Sequence, residues 1–278
     1  MKVAGEGKRS PDRLTKKSSV GRLRLVVTAG PTREYLDPVR FLSNPSTGKM
    51  GFAIAAEAAR RGHDVTLVAG PVSLKTPKGV ERIDVISARE MLDACREAMR
   101  NEELGMRNDG RKKSAIPHSS FNNPHSSVVF ISTAAVADWR PAKCAAKKLK
   151  KGEMSPTLRL VRNPDILKTL DRCRKQSKAV GQSKSAGQSN NPNNLNNRTI
   201  RLVGFAAETN DVLHEAARKC REKDLSFIVA NDVSEKGCGF GTDTNRVTFV
   251  FPDGTLRKFP LMTKRMVARR ILDEVSRL

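Results

Sequence analysis

Residues 23–31, LRLVVTAGP, and residues 51–69, GFAIAAEAARRGHDVTLVA, decide the fold. The first opens on an apolar, β-branched run, 23–28, and breaks at Ala-Gly-Pro, a turn signal. The second is an Ala-rich helix followed by a buried strand at 64–69. Gly62 falls just past the helix, where left-handed backbone closes the last turn. A strand, a long loop, a helix and a second strand make a β-loop-α-β unit. Strands joined this way run parallel and need cover on both faces.

Working outward, residues 82–86 read as a third strand, and Ser87 with Glu90 forms a capping box for a helix over 88–99. Residues 128–132, VVFIS, read as a central strand, and 157–161 alternate weakly. Asn163-Pro164 reads as the cap of a short helix with proline in its first position. A strand at 202–205, a helix from Thr209 to about Lys223 and a strand at 225–230 follow. Residues 247–251 and 256–259 flank Pro-Asp-Gly and read as a β-hairpin. The closing helix, 263–278, sets Met266, Val267, Ile271 and Val275 on one side. The predicted class is α/β: a Rossmann-like, mostly parallel sheet with helices on both faces and a C-terminal β-hairpin. Residues 23–278 read as one domain with polar inserts at 107–127 and 174–198, too poor in apolar residues to join a core.

The 278 residues carry a formal net charge of +23. Part of that excess lies in residues 1–22, a basic stretch without apolar period that reads as a disordered arm. A strong positive charge points to nucleic acid or to a polyanionic small ligand. One Trp and one Tyr make a poor platform for stacked bases. Five scattered cysteines without a C-x-x-C pair argue against zinc or a disulfide framework and fit a reducing, cytoplasmic compartment. No apolar run reaches the ~18 residues of a membrane span. The four histidines do not cluster in sequence, and no nucleophile elbow is present.

Residues 43–51, SNPSTGKMG, precede the helix like a phosphate loop. Ser43 and Met50 stand where a Walker A needs glycine and Ser/Thr, so that pattern fails. The physics survives: Ser46, Thr47, Gly48 and Lys49 let a ligand approach backbone N–H groups at a helix start, which favours an anion. An ordinary capped loop is the plainer reading. Ala29-Gly30-Pro31 lacks the second glycine of a dinucleotide fingerprint, which weakens a nicotinamide reading. Ser132, Thr133, Ala134 and Ala135 end the central strand in small side chains and lead to Asp138. Ligands bind outside the carboxyl ends of such strands, where Asp138 suits a ribose hydroxyl or a metal; a capped turn is the alternative. Lysines 147, 148, 150 and 151 suit a triphosphate clamp or a solvated surface. Lys219 and Lys223 share a helix face at i, i+4, where an anion between them would relieve mild repulsion.

In order, these blocks resemble phosphopantothenoylcysteine synthetase, the ligase half of the bacterial bifunctional coenzyme A enzyme. The matching stretches are 28–51 (TAGPTREYLDPVRFLSNPSTGKMG), 62–74, 132–141 (STAAVADWRP), 148–151 (KLKK), 162–167 (RNPDIL), 203–211 (VGFAAETND), and 230–234 with 239–245 (GFGTDTN). The resemblance implies a dimeric ligase in which a nucleoside triphosphate with Mg²⁺ activates the 4′-phosphopantothenate carboxylate as an acyl-nucleotidylate. The amine of L-cysteine then displaces the nucleotide. The residues follow the bacterial pattern, in which the nucleotide is CTP; animal relatives use ATP.

By the same resemblance, Asn44 holds the acyl intermediate with Ala134 and Ala135 near it. Ser132, Thr133, Ala134, Asp138, Pro164, Asp165, Ile166, Leu167, Phe205, Lys219 and Lys223 contact the nucleotide, and Lys148 is the lysine of the K-x-K-K run. The metal ligands are left unassigned. The flavin-dependent decarboxylase half is absent from the match, so no FMN is expected and a separate decarboxylase chain is. Neither a membrane nor nucleic acid is an expected partner. A basic nucleic-acid-binding protein and an NAD(P)-dependent reductase on the same fold class are the competing readings.

Overall fold

A computed structural model describes residues 21–100, 127–150, 152, 157–182, 199–208, 210–235 and 237–278, with the side chains of 100 and 177–182 excepted. The elements in chain order are β1 (Arg24–Ala29), β2 (Arg33–Tyr35), β3 (Phe41–Ser43), α1 (Lys49–Arg60), β4 (Asp64–Ala69), β5 (Val80–Asp84) and α2 (Ala88–Arg100). Then come β6 (Val128–Ser132), β7 (Trp139–Pro141), β8 (Leu160–Arg162), α3 (Ile166–Gln182), β9 (Ile200–Glu208), α4 (Val212–Glu222) and β10 (Phe227–Asp232). The chain closes with β11 (Thr244–Asn245), β12 (Thr248–Val250), β13 (Leu256–Lys258), β14 (Met262–Thr263) and α5 (Lys264–Val275).

Eight strands form one sheet in the order β13-β12-β10-β9-β6-β1-β4-β5. From β10 to β5 every neighbouring pair is parallel; β12 and β13 add an antiparallel hairpin at one edge. The chain leaves β1 toward β4 and β5, then returns to build β6, β9 and β10 on the other side. The topological switch point therefore lies between β1 and β6, where a crevice opens beyond the strand ends.

Alternation along β1 shows how the faces are filled. Leu25 and Val27 join a core with α1 and α5, through Phe52, Ile54, Val267 and Ile271. Val26 points to the other face and packs with Met91 of α2, Ile166 and Leu170 of α3 and Ala216 of α4. Both faces being buried, the strands read as near-continuous apolar runs.

The α/β class, the parallel sheet and the C-terminal hairpin agree with the sequence reading. Two antiparallel ribbons, β2–β3 and β7–β8, were not legible, because strands of three residues give no period to read. Half of the capping box holds: Ser87 Oγ accepts from Glu90 N at 3.2 Å, while the Glu90 carboxylate accepts from Ser87 Oγ at 3.0 Å and from Ile86 N, one residue before the cap, at 2.9 Å rather than from Ser87 N. The expected cap of α3 is corrected. Asp165, not Asn163, caps it, accepting from Lys168 N at 3.0 Å, and proline lies two residues before the first helical residue. Asn163 Nδ2 is engaged with Ala137 O at 2.8 Å instead. Met266 of α5 is 46% exposed, unlike Val267, Ile271 and Val275.

Of the polar stretch 174–198, residues 174–182 continue α3. Its remainder, the basic stretch up to residue 20, insert residues 107–126, Lys151 and Thr209 lie outside the described residues. Among the described residues no helix is long and apolar enough to cross a membrane, and all five cysteines are free.

Candidate active site

Beyond the carboxyl ends of β1 and β6 lies a cavity of about 640 Å³. Its first wall is the loop into α1. Gly48 adopts φ 77°, a left-handed conformation that admits glycine at little cost, and no side chain caps the N-terminus of α1. The first turn of α1 carries no acidic residue, so its N–H groups face the cavity with a positive field. Ser46, Thr47, Gly48 and Lys49 all line the cavity.

The second wall is the segment after β6. Buried Thr28 on β1 holds it: its Oγ1 accepts from Thr133 N and Ala134 N, both at 3.1 Å, and its carbonyl accepts from Thr133 Oγ1. Thr32 Oγ1, fully buried, accepts from Ala137 N at 3.0 Å, and Gly30 O accepts from Ala135 N at 2.9 Å. Asn44 closes the gap between the walls, its Nδ2 donating to Ala135 O at 3.1 Å and Val136 O at 3.2 Å. Ser132, Thr133, Ala134, Ala135 and exposed Asp138 line this side.

The third wall brings Pro164, Asp165, Ile166 and Leu167 together with Phe205, Lys219 and Lys223. Each lysine is held by a carboxylate of the same cavity. Lys219 Nζ bonds Glu208 Oε1, and Lys223 Nζ lies 2.8 Å from Asp165 Oδ2. Burial pushes the Asp165 carboxyl up, but Lys223 and the backbone of Lys168 outweigh it and hold the group below its ordinary range. The repulsion expected between Lys219 and Lys223 is thus already neutralised. An incoming polyanion would exchange these carboxylates for its own oxygens.

Every site residue singled out from the sequence lines this cavity except the lysines of the 147–151 run, of which Lys151 lies outside the described residues. Lys148 is exposed on the loop between β7 and β8. Its neighbour Leu149 is fastened to the β2–β3 ribbon, through Asp37 Oδ2 to its N–H at 3.3 Å and Arg40 Nη2 to its carbonyl at 2.8 Å.

Other residues went unread in the sequence. Asn231, Asn245 and Lys264 are buried on the cavity wall. The carboxamide oxygens of Asn231 and Asn245 are fully buried and find no donor among the described residues. Asn231 and Asn245 lie inside matched blocks, which was the one signal available; Lys264 had none. The wall carries five cationic side chains (Lys49, Arg162, Lys219, Lys223, Lys264) against three carboxylates (Asp138, Asp165, Glu208), a balance suited to an anion. Among the described residues no three His, Cys, Asp or Glu side chains group as a metal site. One or two carboxylates at the rim suit a hard cation that shares a ligand's phosphate oxygens.

Residues 20–108 and 118–278 match the DNA/pantothenate metabolism flavoprotein C-terminal domain. The chain belongs to this family. It is 41% identical over 255 residues to the coenzyme A biosynthesis bifunctional protein CoaBC of Bacillus subtilis strain 168, a match covering 91% of this chain and 51% of that protein. It is also 41% identical over 256 residues to the CoaBC of Escherichia coli strain K12, with 91% and 51% covered. The chain spans about half the length of these relatives. A crystal structure of the C-terminal domain of CoaBC superposes with a TM-score of 0.63 at 35% identity, covering 93% of this chain and 97% of that one. The family and the fold inferred from the ordered sequence blocks are therefore shown.

Proposed function

We propose that the chain is a phosphopantothenate–cysteine ligase of coenzyme A biosynthesis. The observation that carries this reading is the assembly of Asn44, the 46–49 loop, the 132–135 segment and the Lys219/Lys223 pair around one cavity at the switch point. These groups come from distant stretches of sequence. CoaBC, a coenzyme A biosynthesis protein, is a relative that matches across them.

The chemistry asks a carboxylate to attack a triphosphate, which brings two anions together. Lys219, Lys223, Lys49 and the N–H groups opening α1 would take up charge as the carboxylate oxygen bonds to the α-phosphorus and pyrophosphate leaves. Lys148, assigned by the family pattern, would add to that charge from the exposed loop. Asn44, an amide that does not titrate, would donate to the acyl oxygen by exchanging one of its present bonds to Ala135 O and Val136 O for it. The cysteine amine then attacks the acyl carbon, loses a proton and releases the nucleoside monophosphate. Pro164 to Leu167, Phe205 and Ser132 to Ala134 would bound the nucleotide, and Asp138 would take a ribose hydroxyl. Mg²⁺, held by Asp138 or Asp165 together with phosphate oxygens, would supply further charge neutralisation. CTP is the proposed nucleotide, the cytoplasm the proposed location and a homodimer the proposed state.

Pyrophosphate release from the purified protein, with 4′-phosphopantothenate and Mg²⁺, tests this reading. Release should require phosphopantothenate, favour CTP over ATP and turn over only when cysteine is present. Asn44→Ala should lower kcat by about 10²–10³, the range for loss of one oriented donor. A folded protein that releases no pyrophosphate with either nucleotide would overturn the proposal.

A further inference from the structure

The loop 239–243 is tied down from two sides. On one side lies the 46–49 loop. Thr47 Oγ1 donates to Phe240 O at 2.9 Å, and Lys49 Nζ donates to Gly241 O at 3.0 Å and pairs with Asp243 Oδ1 at 2.7 Å. On the other side lies Lys264, the first residue of α5. Its backbone N–H donates to Asp243 O at 2.9 Å. Its Nζ bonds Thr242 O and reaches Gly239 O and Phe240 O, each at 3.4 Å. The Phe240 carbonyl thus receives both Thr47 and Lys264. Antiparallel pairing of β11 with β14 brings Lys264 beneath the loop.

Lys264 is an expensive residue for a purely structural position. It is 7% exposed, and a buried ammonium loses its hydration. It also stands at the N-terminus of a helix, where the dipole disfavours a cation. Burial, aided by Lys49, lowers its pKa, while Asp243 and Cys238 act in the opposite sense. A methionine would fill the same space without these costs. What the ammonium adds is donation to three carbonyls of one short loop.

We propose that Lys264 is a positioning residue for the anion loop: it holds residues 239–243, and through Phe240, Gly241 and Asp243 that segment sets Thr47 and Lys49 for the triphosphate. The identity of the anion rests on the ligase reading; the coupling between the two loops does not.

Lys264→Met, Lys264→Arg, Thr47→Val and the Lys264→Met/Thr47→Val double variant of the full chain test the proposal. Lys264→Met should raise the KM for CTP by about 10- to 100-fold, the range for a small misplacement of a binding group. The KM for cysteine should stay unchanged, and Lys264→Arg should recover most of the loss. The Met and Val substitutions should be non-additive on the KM for CTP, because they cut the same path. Amide hydrogen exchange should quicken at 46–49 as well as at 239–243. An unchanged KM for CTP, additive effects, or faster exchange confined to 239–243 would overturn the positioning role. If Lys264→Met does not fold, Lys264→Gln, which keeps a neutral donor, is read by the same assays. Absence of turnover by the unsubstituted chain would sink the ligase reading alone, since hydrogen exchange still decides the coupling.

Discussion

Glu57 shows how much of this protein rests on single charged groups with fixed partners. Its carboxylate is 3% exposed and accepts from Arg60 Nε at 2.8 Å and from Arg61 Nε at 3.1 Å. Arg60, against a smaller opposing effect of burial, and then Arg61 hold its pKa down to about 2 from an ordinary 4.5. The unfolded chain therefore takes up a proton at Glu57 more readily than the folded one does. The stabilising contribution is complete above about pH 4.5 and is lost as pH falls toward about 2. Calorimetry across that window should find the thermal midpoint of Glu57→Gln less steeply dependent on pH than that of the unsubstituted chain. Identical slopes would show that the Arg60 and Arg61 contacts do not act through the ionised carboxylate. None of this was legible in GFAIAAEAARR, where Glu57 reads as one more solvated helix charge. Asn44 was legible only because its block resembles a family motif. Thr28 and Thr32, which hold the opposite wall, look in sequence like ordinary strand and turn residues.

Among the elements, α1 and its entry loop matter most to the site. Gly51 sits where α1 presses on β1 and the end of β6. A Cβ there would lie 2.5 Å from Thr133 Oγ1, 2.6 Å from Ala29 Cβ and 2.8 Å from Thr28 O. Two of these three are fixed by strand geometry, so the helix must lift. Gly51→Ala is expected to cost about 1–3 kcal/mol of stability, the range for overpacking. It should also raise the KM for the nucleotide, because the N–H groups opening α1 move with the helix. Urea unfolding and steady-state kinetics check both, and an unchanged midpoint with unchanged KM would refute the argument. The periodicity of α1 was plain in sequence, whereas this close approach was not, since it depends on which strand end the helix crosses. The short ribbons β2–β3 and β7–β8 escaped for a different reason: three residues carry no period.

Over the whole molecule, those two ribbons lie together, β2 against β7, with Ala145 N donating to Leu36 O at 2.8 Å between them. They expose Val39, Phe41, Trp139, Leu158 and Leu160, each at least 39% accessible. Arg33 over Phe41 and Arg162 over Trp139 frame the patch with guanidinium groups. Exposed apolar side chains on two adjoining ribbons are the material an interface would use. The proposed homodimer would use it, pairing the patch with its own copy about a two-fold axis. Val39→Glu and Leu158→Glu place charge on exposed positions and should leave the fold intact. Sedimentation should show a dimer for the unsubstituted chain and monomers for the variants; a monomeric unsubstituted chain would overturn the assignment.

Local pattern carries information about local structure, and here it sufficed for the parallel strands, four of the five described helices, the C-terminal hairpin and the order of the motif blocks; α3, expected to be short, runs on through residues 174–182 of the polar stretch. Patterns of apolar spacing survive in one dimension because each element buries its own face. Tertiary structure alone decided which charges meet. Lys219 found Glu208 and Lys223 found Asp165, so two lysines that look free in sequence are paired with carboxylates of the same cavity. It also delivered Asn231, Asn245 and Lys264 to that cavity from separate elements. Such contacts span long stretches of chain and depend on the order in which strands enter the sheet, a property that no window of residues contains.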